Sequence, residues 1–244
     1  MVAFRPRFVI TLLFVAAVSY FWGGFTVYKQ IFPYPQIHIL KNKYAGASPT
    51  TSPRYTIFQT SPRLTMFQTF SPTSDVVMVG DSLTANAAWN EIFPKVQIAN
   101  RGVVGDTTDN ILLRMDTILS VSPKKALIMV GINDIGSGAS LDSVFQNYRE
   151  IVKRLQQAGV DVIIQSTLEC SREVCGNRVY LVRELNKQLE DFAKRNNIVF
   201  LDINADLSSP SDGLLSKYSY DGIHLLASGY VKWSETIRPY LTAN

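Results

Sequence analysis

The sequence predicts an α/β domain built on a parallel sheet, carried behind a single N-terminal membrane-spanning helix. Three observations point there. From Asp75 onward, short runs rich in Val and Ile alternate with longer stretches of helical periodicity, the order that gives parallel strands with helices on both sides. Several of the short runs are apolar throughout rather than at every second position, as strands covered on both faces are. Ahead of them, residues 8–28 form one run without a charged side chain.

The expected strands are Val76–Gly80, Val96–Ala99, Ala126–Gly131, Val162–Thr167 and Ile198–Asp202. Between and after them the spacing predicts helices over Thr84–Ile92, Thr108–Leu119, Leu141–Ala158, Arg178–Asn196 and Ala227–Leu241. Gly159 suits the position just past the end of the third. Together these elements define a domain over residues 75–244.

The uncharged run at 8–28 would span roughly 31 Å as a helix, about the thickness of a bilayer's hydrocarbon core. Tyr20, Trp22 and Tyr28 crowd its C-terminal half, where an interfacial aromatic belt sits. It ends in aromatics and Lys29, not in the small residues of a signal-peptide cleavage site. Residues 1–29 are therefore read as an uncleaved membrane anchor. Arg5 and Arg7 precede the run while Lys29, Lys41 and Lys43 follow it, so flanking charge does not orient it.

Residues 30–74 read as a basic linker rich in Pro, Ser and Thr. Residues 1–74 carry seven Lys and Arg and no Asp or Glu; the chain's 24 basic residues less these seven leave 17, against 20 acidic ones. The domain is thus mildly acidic, which argues against a nucleic-acid-binding face. The basic segment suits anionic lipid headgroups instead. Within it SPRYTIFQT (Ser52–Thr60) is followed directly by SPRLTMFQT (Ser61–Thr69). Two copies are too few for a solenoid; they read as a duplication in the linker, one copy of which could dock on the domain as an extended strand.

Cys170 and Cys175, the only two cysteines, stand in ECSREVC. A local disulfide and a pair of free thiols both fit that spacing. The disulfide would require an oxidising compartment, and so an extracytoplasmic domain, periplasmic or external. No third or fourth soft ligand is near, so no zinc site is expected, and no other metal or cofactor is indicated.

Ligands gather beyond the carboxyl ends of the strands in open parallel sheets, and four motifs fall there. Ser82 follows the first strand in VVMVGDSLT. Gly105 follows the second in NRGVVGDTT. Asn133 stands in GIND after the third, and Asp221 and His224 stand in DGIHL near the end. Each residue type has a task in acyl transfer. A serine hydroxyl needs a base, and His224 is suited to that work. Asp221 would hold the imidazole in the useful tautomer. The N–H groups of Ser82 and Gly105 and the amide of Asn133 would face an oxyanion. Asp81 reads as structural, and Asp106, Thr107 and Thr108 as a helix cap. Arg114 reads as a salt-bridge partner, and Trp89, Trp233 and Tyr230 as core.

These motifs resemble the four conserved blocks of the SGNH, or GDSL, hydrolase superfamily: GDSL, a glycine block, GxND and DxxH. The likeness runs from about Val76 to the C-terminus. NRGVVGDTT with GIND is similar to the platelet-activating-factor acetylhydrolase catalytic subunits and to bacterial acyl-esterases that remove acetyl groups from sugars. The resemblance implies a flavodoxin-like three-layer α/β/α sandwich with five parallel strands. It implies Ser82 as nucleophile, Asp221 and His224 as acid and base, and Ser82, Gly105 and Asn133 as the oxyanion hole. The expected activity is hydrolysis of a short acyl ester, such as an acetyl group on an envelope glycan. A lysophospholipase or thioesterase held near lipid is one alternative. A membrane-tethered binding protein without catalysis is another.

Overall fold

The computed structural model describes residues 61–241. The predicted anchor at 1–29, the linker as far as Thr60 and the first repeat copy lie outside the described residues. What is described belongs to one compact unit, Ser61–Asn244.

Five strands form the sheet: β1 Val76–Gly80, β2 Ile98–Gly102, β3 Lys125–Met129, β4 Asp161–Gln165 and β5 Val199–Leu201. All neighbouring pairs are parallel, in the order β2-β1-β3-β4-β5. This is the flavodoxin-like order, whose reversal point lies between β1 and β3. All five residues of β1 are buried. Successive side chains on a strand face opposite sides, so both faces of the sheet are covered. That is why the apolar run in the sequence is unbroken.

The helices supply the two covers. α4 Thr108–Leu113, α5 Met115–Leu119, α7 Leu141–Gln157 and α9 Arg178–Arg195 form a mutually packed set. Ser140 caps α7 through its side chain, and Val144, Tyr148, Ile151, Val152 and Leu155 are its buried stripe. The spacing of that stripe is the helical one. α2 Ser82–Asn86, α3 Trp89–Ile92 and α10 Ala227–Leu241 meet through aromatic rings. Trp89 and Trp233 lie edge to face at 5.1 Å, and Tyr230 packs on Trp233 at 5.9 Å. Trp233 also donates its indole N–H to Gln165 Oε1 at 2.6 Å, which anchors α10 to the end of β4.

Three differences from expectation stand out. β2 begins at Ile98 and continues through Asn100 and Arg101 to Gly102, beyond the predicted end at Ala99. Polar residues tolerate this strand because each finds partners: Asn100 donates to the carbonyls of Ala85 and Ala87, and Arg101 to that of Thr117. The predicted helices Thr84–Ile92 and Thr108–Leu119 are each split in two. The backbone turns extended at Ala87, and Arg114 leaves helical angles between α4 and α5. In both places a side chain from a distant segment, Asn100, or a side chain drawn inward, Arg114, outweighs the local helical preference.

The third difference concerns the second repeat copy, which forms a helix, α1 Pro62–Thr69, and not an extended strand. The Ser61 hydroxyl accepts the N–H of Leu64 and Pro62 takes the first helical position, both helix-start features. Leu64 and Phe67 are buried, and the Phe67 ring lies under the Arg63 and Arg101 guanidiniums. The compact unit therefore begins at Ser61, ahead of the expected boundary at Asp75.

After β5 the chain runs through residues 202–226 with little regular structure. A small antiparallel pair, β6 Ser208–Ser209 with β7 Gly213–Leu214, and a 3-10 turn at Ser216–Tyr218 punctuate it. Among the described residues no helix is long and apolar enough to cross a membrane.

Candidate active site

Strand order sets the arrangement. β1 lies between β2 and β3, so the loop carrying Ser82 is flanked by the loop carrying Gly105 and the turn carrying Asn133. Ser82 is the first residue of α2, and Asp81 is its cap, with Oδ1 accepting the Leu83 N–H at 2.9 Å. The cap thus leaves the N–H of Ser82 itself without an intrahelical partner. α2 lies hard against β2: a Cβ on Gly102 would come within 2.3 Å of the Ala85 nitrogen. The Leu83 carbonyl accepts the Tyr230 hydroxyl at 2.8 Å, tying α2 to α10.

His224 reaches Ser82 from the segment that follows β5, a strand that β3 and β4 separate from β1 in the sheet order. Its Nε2 stands 3.0 Å from Ser82 Oγ. Its Nδ1 stands 2.7 Å from Asp221 Oδ2. The other carboxylate oxygen of Asp221 accepts the backbone N–H groups of Ile223 at 2.9 Å and His224 at 2.7 Å. Ser219 braces the turn, accepting the Gly222 N–H and donating to the His224 carbonyl. Partial desolvation works against charge on Asp221. The bond to the His224 ring and those two N–H groups outweigh it and bring the carboxyl down to about 2. The Tyr220 ring lies nearly parallel to the imidazole at 6.1 Å. Ser82 is 6% exposed, whereas the His224 and Asp221 side chains are 28% and 34% exposed. The hydroxyl is recessed, and the acid–imidazole pair covers it.

Gly105 sits in an exposed loop with φ +78°, and a Cβ there would meet nothing within 4 Å. Its glycine is required by the positive φ, and not by close approach of another segment. Asn133 is the second residue of α6 Ile132–Ser137. Its Nδ2 donates to the backbone carbonyl of Asp106 at 2.9 Å. An amide nitrogen carries two protons, so a second remains for another acceptor. Asp134, beside it, accepts the Thr108 hydroxyl at 2.6 Å and the Thr108 N–H at 3.1 Å.

Beneath this surface lies a support that sequence reasoning identified only as a salt bridge and a cap. Arg114 and Asp106 form a buried ion pair at 2.6 Å. The same guanidinium donates to the carbonyls of Arg101 at 2.7 Å and Gly80 at 3.3 Å. One side chain therefore holds the ends of β1 and β2 and the residue after Gly105. No periodicity marks it, because its partners lie on three separate segments. Burial pushes the Asp106 carboxyl up to about 6, with the Arg114 charge limiting the rise. Asp81 is fully buried, and its Oδ2 has no hydrogen-bond partner. Burial raises it to about 7, countered by the Leu83 N–H and augmented by the charges of Asp106 and Asp134.

Of the predicted site residues, Ser82, His224 and Asp221 form one hydrogen-bonded chain. Gly105 and Asn133 stand at the neighbouring strand ends, linked through Asp106. Cys170 and Cys175 are joined by a disulfide. Among the described residues no group of three or more His, Cys, Asp or Glu side chains could hold a metal ion. A hydroxyl, an imidazole and a carboxylate in this order can activate the hydroxyl for attack on a carbonyl carbon.

Comparison with known proteins agrees with that chemistry. The chain is 28% identical to the platelet-activating factor acetylhydrolase IB subunit alpha2 of Gallus gallus, over 65% of this chain and 72% of that protein. The fold matches a GDSL-like lipase of Bacteroides thetaiotaomicron with a TM-score of 0.65 at 23% identity, covering 72% of this chain and 94% of that one. It also matches an acetylxylan esterase of Geobacillus stearothermophilus with a TM-score of 0.57 at 15% identity, covering 71% and 97%. The profile of the GDSL-like lipase/acylhydrolase family matches residues 78–232. This chain belongs to the GDSL-like lipase/acylhydrolase family and is a carboxylic ester hydrolase.

Proposed function

We propose that the protein hydrolyses short acyl esters through an acyl-enzyme on Ser82, with acetyl groups on a carbohydrate as the substrate class. The observation that carries the mechanism is the pair of distances at His224: 3.0 Å to Ser82 Oγ on one nitrogen and 2.7 Å to Asp221 on the other. As Ser82 Oγ attacks the ester carbon, its proton passes to His224 Nε2, and the carbonyl electron pair moves onto oxygen. The N–H groups of Ser82 and Gly105 and the free amide proton of Asn133 are the donors for that oxyanion. Collapse expels the alcohol, which takes the proton back from His224. Water then repeats the sequence on the acyl-enzyme. Asp221 stays ionised throughout, in keeping with its low pKa.

The acetyl preference is drawn from the acetylhydrolase relative and the acetylxylan esterase of like fold. We further propose that residues 8–28 anchor the chain in a membrane with the domain outside the cytoplasm. The uncharged run and the basic segment after it support this, as does a disulfide, which persists in oxidising compartments.

Ser82→Ala, assayed on p-nitrophenyl acetate, should lower kcat/KM by at least about 10³-fold. Undiminished hydrolysis would remove Ser82 from the role. A series of p-nitrophenyl esters from acetate to laurate should show activity falling with chain length. Activity rising toward laurate would instead assign a lipid acyl ester as substrate.

A further inference from the structure

We propose that the Cys170–Cys175 disulfide loop is a brace that positions the Asp221–His224 turn, and that turnover depends on the loop being closed. The inference rests on the serine-hydrolase reading above, which does not itself require the loop.

One end of the loop is fixed in the domain. Cys170 is buried, and Glu169 before it donates its N–H to Asn204 Oδ1 at 2.8 Å. The Glu169 carboxylate is gripped by Arg183 at 2.9 Å on both oxygens. The other end is Cys175, the last residue of the four-residue helix α8 Arg172–Cys175. A single turn is not stable alone. The disulfide returns it to Cys170 across a separation of five residues, and the Ser171 hydroxyl caps it at Val174.

The closed loop bears on the middle of the catalytic turn. The Ser171 N–H donates to the Gly222 carbonyl at 2.7 Å. Gly222 has φ +79°, and a Cβ there would come within 2.4 Å of Ser171 Oγ and 2.6 Å of Val174 Cγ2. A second pair of bonds, Arg172 N–H to Asp212 and Leu214 N–H to the Cys170 carbonyl, joins the loop to the stretch before the turn. Gly222 stands between Asp221 and the Ile223 and His224 N–H groups that Asp221 accepts. A rotation at residue 222 therefore tilts the carboxylate and the imidazole together. Both side chains are about a third exposed, so backbone placement, more than packing, sets where His224 Nε2 points. Misplacement by about 1 Å can cost on the order of 10²-fold in rate.

The test uses the full chain in detergent micelles. One arm is the double variant Cys170→Ala/Cys175→Ala. The other is the unaltered protein treated with dithiothreitol, which gives two electrons and two protons to the S–S bond and leaves as its own cyclic disulfide. Both should show kcat lowered by at least about tenfold, with KM changed by less than about twofold. Reoxidation of the reduced protein should restore kcat. In histidine-labelled samples the Nδ1–H resonance of His224, hydrogen-bonded to Asp221, should broaden when the loop opens. An unchanged kcat with both thiols titrating as free overturns the brace. So does activity that falls only in step with the folded fraction by circular dichroism, including the case where either arm fails to fold. If the oxidised protein hydrolyses no ester, the Ser82 acyl-enzyme reading fails and takes the turnover dependence with it, while a His224 resonance that still responds to reduction upholds the loop as the element that positions the turn.

Discussion

Asn133 donates its side-chain amide to the backbone carbonyl of Asp106 at 2.9 Å. The turn after β3 and the loop after β2 are thereby tied to each other across the end of β1, where Ser82 stands. The amide proposed as an oxyanion donor is held by the loop that carries a second proposed donor, the Gly105 N–H, so the two keep register. Replacing Asn133 with Ala removes both the donor and the tie. We expect kcat to fall on the order of 10²- to 10³-fold, with a smaller change in KM. Steady-state kinetics on p-nitrophenyl acetate measure it, and a loss under about threefold would remove Asn133 from the oxyanion hole.

Arg114 is a buried charge on which three segments converge. Arg114→Met leaves Asp106 buried without its cation and leaves the Gly80 and Arg101 carbonyls short of a donor. Breaking a buried pair from one side costs about 3–5 kcal/mol. Urea unfolding of the variant should show a loss of that order. The double variant Arg114→Met/Asp106→Leu, which removes both charges, should recover part of it.

Stability should fall as pH rises from about 4 to 7. The carboxyls of Asp81 and Asp106 lie above their ordinary value of 3.8, at about 7 and about 6. Each therefore binds its proton more tightly in the folded chain. The stability they contribute is complete below about pH 4 and is lost as pH passes through those values, at up to about 1 kcal/mol per pH unit for each group. Asp221, held at about 2, acts oppositely and only in acid: its contribution is present above 3.8 and disappears as pH falls through 2. Denaturant titrations of Asp81→Asn between pH 4 and 7 should give a shallower slope than the parent. An equal slope would show that Asp81 stays ionised when buried.

The second repeat copy should matter to the domain. Leu64 is 1% exposed on α1, and truncating a buried leucine costs about 2–5 kcal/mol. Leu64→Ala should lower the unfolding midpoint accordingly, while Met66→Ala, at an exposed position of the same helix, should leave it nearly unchanged. Equal effects from the two would mean that α1 does not pack as described.

Much of this protein is legible from local pattern. A strand covered on both faces is apolar through its middle, so β1, β3 and β4 show in the sequence within a residue or two. Strand–helix alternation dictates parallel pairing, which sends the carboxyl ends of the strands to one edge. Ser82, Gly105, Asn133 and the Asp221–His224 turn are recognisable because each motif follows its strand or precedes its helix at short range. The same local chemistry, Ser followed by Pro, could have marked α1 as a helix, but the alternating apolar residues of the repeat pointed to a strand.

What the sequence could not decide rests on contacts between distant segments. Asn100 breaks the helix after Ser82 from another strand, and Arg114 interrupts its own helix to reach Gly80, 34 residues away. The largest gap is at the site itself. β5 is an edge strand, with β3 and β4 between it and β1, and His224 follows it by a long irregular segment. Only the folding back of that segment, secured by Ser171 on Gly222, Tyr230 on Leu83 and Trp233 on Gln165, brings the imidazole to a serine 142 residues away. Residue types and their order are properties of the chain. The 3.0 Å between Nε2 and Oγ is a property of packing, because no local preference along the chain encodes a distance between its two ends.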